Sequence, residues 1–152
     1  MEKDLLKKLG EETIYTAKGH FKACDIRRNL ITFTIWICLL INVLGIYGFN
    51  EIIGKVLAAV GLFGTIALLV WNQGDGSSYR ANHKLIAEKY LSLHKEIRDL
   101  HELSGSKEEV KEISKKVREL DNSDKMDIPW IARKWAQKAI QEFNETNNWF
   151  LK

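Results

Sequence analysis

Proline is almost missing from this sequence. It occurs once, at Pro129, and cysteine occurs twice, in a chain of 152 residues. With no proline before Pro129, nothing of that kind interrupts long helices over most of the chain. Cys24, before the first apolar run, and Cys38, inside it, cannot build a disulfide framework, which excludes a small disulfide-held scaffold and leaves free thiols in a chain facing the cytosol as the simpler reading. Charge of either sign is missing from two long stretches, Asn29 to Asn50 and Val56 to Gly74. All 23 basic and 20 acidic residues fall elsewhere. The whole-chain averages, 28% charged and 45% hydrophobic, hide this segregation. It excludes a soluble globule with evenly mixed surfaces, and the composition excludes disorder and collagen. The net charge of +3 is small, and no basic block is long enough to make nucleic acid an expected partner. Catalytic signatures are also missing: no Walker motif, no Rossmann glycine pattern, no His-Glu-x-x-His and no nucleophile elbow. Neither an enzyme nor a cofactor is expected.

What the sequence does hold is two apolar runs. Leu30 to Phe49 matches the roughly 20 residues that span about 30 Å of hydrocarbon as a helix. Val56 to Trp71 is shorter, and suffices with Ile52 and Ile53 at the interface. A helix apolar on all sides needs a shell of other elements, and the rest of this chain is too short and polar to supply one. The runs therefore read as membrane spans joined by a short turn. A cleaved signal peptide does not fit a charged leader of this length followed by two runs. Lys18, Lys22, Arg27 and Arg28 precede the first span, and Arg80, Lys84 and Lys89 follow the second. The positive-inside rule places both termini in the cytoplasm, with Tyr47 and Phe49 at the outer interface and Trp71 at the inner one.

Both spans carry a patterned stripe. Thr34, Cys38 and Asn42 recur every four residues, with Gly45 close by. An amide such as that of Asn42 needs a partner or water in hydrocarbon. The stripe is either interhelical hydrogen bonding, often worth about 1 kcal/mol, or the lining of a pore. Gly54, Ala58, Gly61 and Thr65 form a small-residue stripe on the second span, with Gly64 beside it. Such stripes let helices approach closely, within one hairpin or between subunits. Two spans cannot enclose a water-filled channel, so a pore would require a homo-oligomer.

The remaining segments read as amphipathic helices. In the leader, Leu5, Leu6 and Leu9 form one stripe, and Ile14, Ala17, Phe21 and Cys24 another. After a Gly-Asp-Gly turn capped by Ser77 or Ser78, Tyr79, His83, Ile86, Tyr90, Leu93, Ile97 and Leu100 make a heptad seam. His83 on that seam reads as a packed, hydrogen-bonded histidine. His94 and His101 share a side offset from it and read as solvated rather than metal-binding. Leu103 to Ser106 breaks the helix, and Ser106 with Glu109 forms a capping box opening the next. Val110, Ile113, Val117 and Leu120 are the seam of that helix, which pairs with its predecessor. If the two seams also hold subunits together, they are the assembly surface. Pro129 suits the first turn of a last helix running to about Phe150, whose apolar face is Ile131, Trp135, Ala139 and Phe143. The fold class is thus an all-α membrane protein. An amphipathic cytoplasmic helix (1–28) precedes a two-helix transmembrane hairpin (29–74), and a cytoplasmic three-helix region (75–152) follows.

The segment Tyr15-Thr-Ala-Lys18-Gly19-His20-Phe21 stands just before the hairpin. With the later His83, Ala87, Tyr90, Leu93 and Ile97, it resembles the SLATT family of two-span effectors in prokaryotic nucleotide-signalling conflict systems. The resemblance runs from about Glu12 to Phe150. It implies a membrane effector of antiphage defence at the inner membrane, oligomerising into a pore that depolarises the infected cell. The signal would come from a separately encoded nucleotide synthase, nucleotide sensor or reverse-transcriptase element. Lys18, Gly19, His20 and Phe21 match the motif without implying a chemical role for each. The competing readings are a membrane-anchored coiled-coil adaptor for a soluble signalling partner, without pore activity, and an accessory subunit of a transporter.

Overall fold

The computed structural model describes residues 2–47, 51–123 and 126–143. Phe49 and Phe150, named above, lie outside the described residues. Every described element is helical: α1 (Glu2–Tyr47), α2 (Glu51–Trp71), α3 (Ser77–Leu103), α4 (Lys107–Asn122) and α5 (Trp130–Phe143). The leader and the first apolar run are one helix, since neither Gly10 nor Gly19 breaks α1. The Gly-Asp-Gly segment is not a turn. Asn72–Gly76 forms a π-helical stretch that carries α2 into α3, and Ser77 has helical backbone angles rather than those of a cap. The chain packs as two compact units, residues 1–24 with 82–152, and residues 25–81.

The first unit has a core of large side chains. Leu6 and Leu9 of α1 cluster with Ile97 of α3 and Val110, Ile113 and Val117 of α4, and Leu93 and Leu100 pack against them. The α4 seam is the expected one, although Leu120 stays half-exposed. On α3 the buried stripe is His83, Ala87, Tyr90, His94 and Ile97, rotated from the stripe expected through Ile86 and Leu93. The reason is the leader: α1 packs on α3 as well as α4 does, so a wider arc is buried. His94 is therefore not solvated. Its Nδ1–H donates to the Gly10 carbonyl at 3.0 Å. Val110, Ile113 and Val117 of the α4 seam and Ile97 of the α3 seam are buried within one chain, while Ile86, Leu93, Leu100 and Leu120 are half-buried. On α5 the buried positions are Ala132, Ala136, Ala139 and Ile140, whereas Ile131 and Trp135, expected inside, are exposed. Alanines give that helix a flat face for close packing, and its tryptophans turn outward.

The connections follow local chemistry. α3 ends at Leu103, and Ser104 takes a left-handed φ of 54°. The Gly105 N–H then donates to the Leu100 carbonyl at 2.9 Å, closing a Schellman-type end. The glycine stands one position late because a Cβ on Gly105 would lie 2.8 Å from Leu100 Cδ2. α4 opens on the expected capping box. The Ser106 N–H donates to Glu109 Oε2 at 2.7 Å, and the Glu109 N–H to Ser106 Oγ at 3.3 Å. The backbone N–H of Ser106, and then its hydroxyl, hold the Glu109 carboxyl below its ordinary range. Lys116 of α4 reaches Glu96 of α3 at 3.4 Å and Glu112 at 3.5 Å. These partners, Glu96 first, raise its pKa. Such exposed pairs add little stability.

In the second unit, α1 from Asp25 onward and α2 lie antiparallel. The helices are long and apolar enough to cross a membrane, and only 11% of the apolar window of each is buried. Arg27 lies over the rings of Trp71, at 5.2 Å, and Tyr79, at 4.3 Å, a cation–π contact at the basic end of the pair.

Candidate functional site

Two clusters gather the residues singled out by the sequence. The first lies between α1 and α3. His20 and His83 are each 0% exposed. Their Nδ1 atoms are 2.6 Å apart, so one ring donates an N–H and the other accepts. The ring centroids are 4.8 Å apart at an interplanar angle of 47°. Tyr90, also 0% exposed, lies nearly parallel to His20, at 16° and 6.4 Å between centroids. Its hydroxyl donates to Asp121 Oδ1 of α4 at 2.6 Å. The helical period places His83 and Tyr90 on one face of α3, and the leader brings His20 across to them.

Neighbouring motif residues hold the leader in place. A Cβ on Gly19 would sit 2.9 Å from Ile128 Cδ1, so glycine lets the segment before α5 pack directly on the α1 backbone. The Tyr15 hydroxyl donates to the Arg133 carbonyl at 3.5 Å. Thr13 is buried and returns its hydroxyl to the Leu9 and Gly10 carbonyls, at 2.8 and 3.1 Å. Lys18 and Phe21 are half-buried. The two parts of the sequence pattern thus meet at His20, His83 and Tyr90, which form one buried cluster.

The second cluster is the contact between the stripes of α1 and α2. A Cβ on Gly45 would lie 2.6 Å from the Ala58 nitrogen and 2.8 Å from the Gly54 oxygen. One on Gly61 would lie 2.7 Å from the Cys38 oxygen and 2.9 Å from the Asn42 nitrogen. Backbone meets backbone at both places, and only glycine permits it. One on Gly64 would lie 3.2 Å from Cys38 Sγ. The polar stripe and the small-residue stripe therefore face each other within one chain. Thr34 and Thr65 return their hydroxyls to the Leu30 and Gly61 carbonyls, at 2.9 and 2.8 Å, so both are satisfied on their own helices.

No family model, curated protein or solved structure matches this chain.

Sequence reasoning missed Asp121 and His94. Asp121 follows the last seam residue of α4 and carries no periodic signal, yet it accepts the Tyr90 hydroxyl from the last turn of that helix. His94 carried a usable signal, since it continues the step from His83 through Ala87 and Tyr90. Among the described residues no group of three or more His, Cys, Asp or Glu side chains is arranged to hold a metal ion.

Proposed function

We propose that this chain is a two-span membrane effector of prokaryotic antiphage defence. It sits in the inner membrane with both termini in the cytoplasm, assembles with copies of itself, and permeabilises the bilayer when a separately encoded partner signals. The observation that carries the membrane part is the outward display of large apolar side chains. Phe33 is 64%, Trp36 65% and Phe63 71% exposed, while the contact between the helices is made of glycines. Surfaces of this kind suit lipid or another span. The defence assignment rests on the resemblance carried by Tyr15, Lys18, Gly19, His20 and Phe21, with His83 and Tyr90.

The contact between the stripes bears on mechanism. Cys38, Asn42 and Gly45 pack against Gly54, Ala58, Gly61 and Gly64 in this form. A pore lined by Asn42 therefore requires the two spans of a chain to separate or turn. The same contact favours the second reading, an adaptor whose stripe only glues the spans together.

Locking the stripe distinguishes the two. Gly64→Cys in a Cys24→Ser background places a second thiol within disulfide reach of Cys38. Ion flux is measured from liposomes carrying this variant with the products of the neighbouring genes, before and after oxidation. The pore reading expects flux in the reduced protein, loss on oxidation and recovery with reductant. Equal flux in both states removes the stripe from the pore. No flux from wild type with every neighbouring product removes pore activity and leaves the adaptor.

A further inference from the structure

The histidine pair has a property that a purely structural contact would not need. An Nδ1-to-Nδ1 bond holds one proton between the two nitrogens. At neutral pH one ring is the Nδ1–H tautomer and donates, and the other carries its proton on Nε2 and accepts. A first added proton can be accommodated at an outer nitrogen, at the cost of a charge in a site with no solvent exposure. A second added proton cannot be. Both Nδ1 atoms would then carry hydrogens, aimed at each other across 2.6 Å, and the bond becomes a repulsion between two cations.

The groups around the pair are set by the elements that pack on it. α3 supplies Tyr90, whose hydroxyl donates to Asp121 of α4. The buried face of α5 is Ala132, Ala136, Ala139 and Ile140, without charge. On α1, half-buried Cys24 stands one turn beyond His20; on α3, exposed Lys84 follows His83 and pairs with Glu88 at 3.7 Å. The clash of two Nδ1 hydrogens is a property of the pair's own geometry.

We propose that His20 and His83 form a proton-controlled latch between α1 and α3, closed while the rings are neutral and share one Nδ1 proton, and opened when both are protonated. Histidine rings released to water gain their protons between about pH 8 and 5, so acidification through that range favours the open form. The closed form is favoured at the upper end of that range and lost toward the lower end, because the open form binds more protons. His20 and His83 both lie on helices that run on beyond this unit, so latch opening frees the leader from α3 at a defined point. The latch stands whether or not the chain forms a pore, because its test reads ring protonation and backbone exchange rather than flux.

The test uses the full chain in lipid nanodiscs, with nitrogen-15 in the histidine rings. At about pH 7.5, one of the pair should be the Nδ1–H tautomer and the other the Nε2–H tautomer, assigned with His20→Asn and His83→Asn. Amide exchange over residues 17–24 and 82–90, corrected for the intrinsic effect of pH, should rise at least about tenfold from pH 7.5 to 5.5. The rise should be flattened in His83→Asn, which keeps a hydrogen-bonding amide but cannot take up a proton. If that variant does not fold, the wild-type ring spectra decide alone. Two Nε2–H tautomers at neutral pH, or two imidazolium rings at acid pH with protection unchanged, overturn the proposal.

Discussion

Residues 1–24 with 82–152 build their core from large side chains, while the closest contacts within residues 25–81 are made by glycines. In the first unit Tyr90 and Ile97 are 0% exposed and Val117 is 1% exposed, with charged residues on the outside. In the second, Gly54 and Gly61 are buried, while Leu40 is 59% and Phe63 71% exposed. The first pattern is what water imposes: apolar area is withdrawn until the core is filled. The second is the pattern expected of helices packed where that force is absent between them. Contact then comes from close backbone approach, and large apolar groups face the surroundings. One chain thus follows two packing rules, and the boundary falls inside α1 rather than at a loop.

Two substitutions test whether the rules are distinct. Ile97→Ala should cost about 3 kcal/mol of the first unit's stability, through lost burial and a residual cavity. Thermal unfolding followed by helical circular dichroism checks it. The same truncation at exposed Leu40 should leave the contact between α1 and α2 intact. Equal losses would mean that the second unit is also held by large side chains. Gly61→Leu inverts the logic, since its side chain would start 2.7 Å from the Cys38 carbonyl oxygen. It should cost about 2 kcal/mol of helix pairing by overpacking and abolish crosslinking of Cys38 to a cysteine at position 64. Gly74→Ala is the control, because a Cβ there meets nothing within 4 Å. Crosslinking that survives Gly61→Leu would show that the close approach is not what pairs these helices.

The sequence made local features legible and left tertiary ones hidden. Absence of charge marked both apolar helices, and Ser106 with Glu109 marked the start of α4, since each signal lies within a few residues. The seam of α3 was misplaced because Ile86 and Leu93 are the conspicuous apolar residues. The buried stripe instead runs through Ala87 and His94, where a third helix packs. On α5 the tryptophans drew the expected face to the wrong side, while alanines made the contact. The meeting of His20 with His83 spans 63 residues and had no periodic signal. Each histidine stood out in its own motif, but nothing in either motif pointed to the other.

The smallest effect concerns the α4 cap, which belongs to the first unit alone. Ser106→Ala should cost about 1 kcal/mol by removing the hydroxyl that accepts the Glu109 N–H. Glu109 adds a pH dependence with a defined sign. Its carboxyl is held below the ordinary range by the Ser106 N–H and hydroxyl, so its contribution is complete above the ordinary carboxylate range. That contribution is lost as the pH falls through the lowered value. The difference in unfolding temperature between wild type and Glu109→Gln should therefore be present at neutral pH and vanish in strong acid. Crosslinking between Cys38 and position 64 should be indifferent to both substitutions. If weakening the α4 cap also lowers that crosslinking, the two packing rules describe one cooperative structure rather than two.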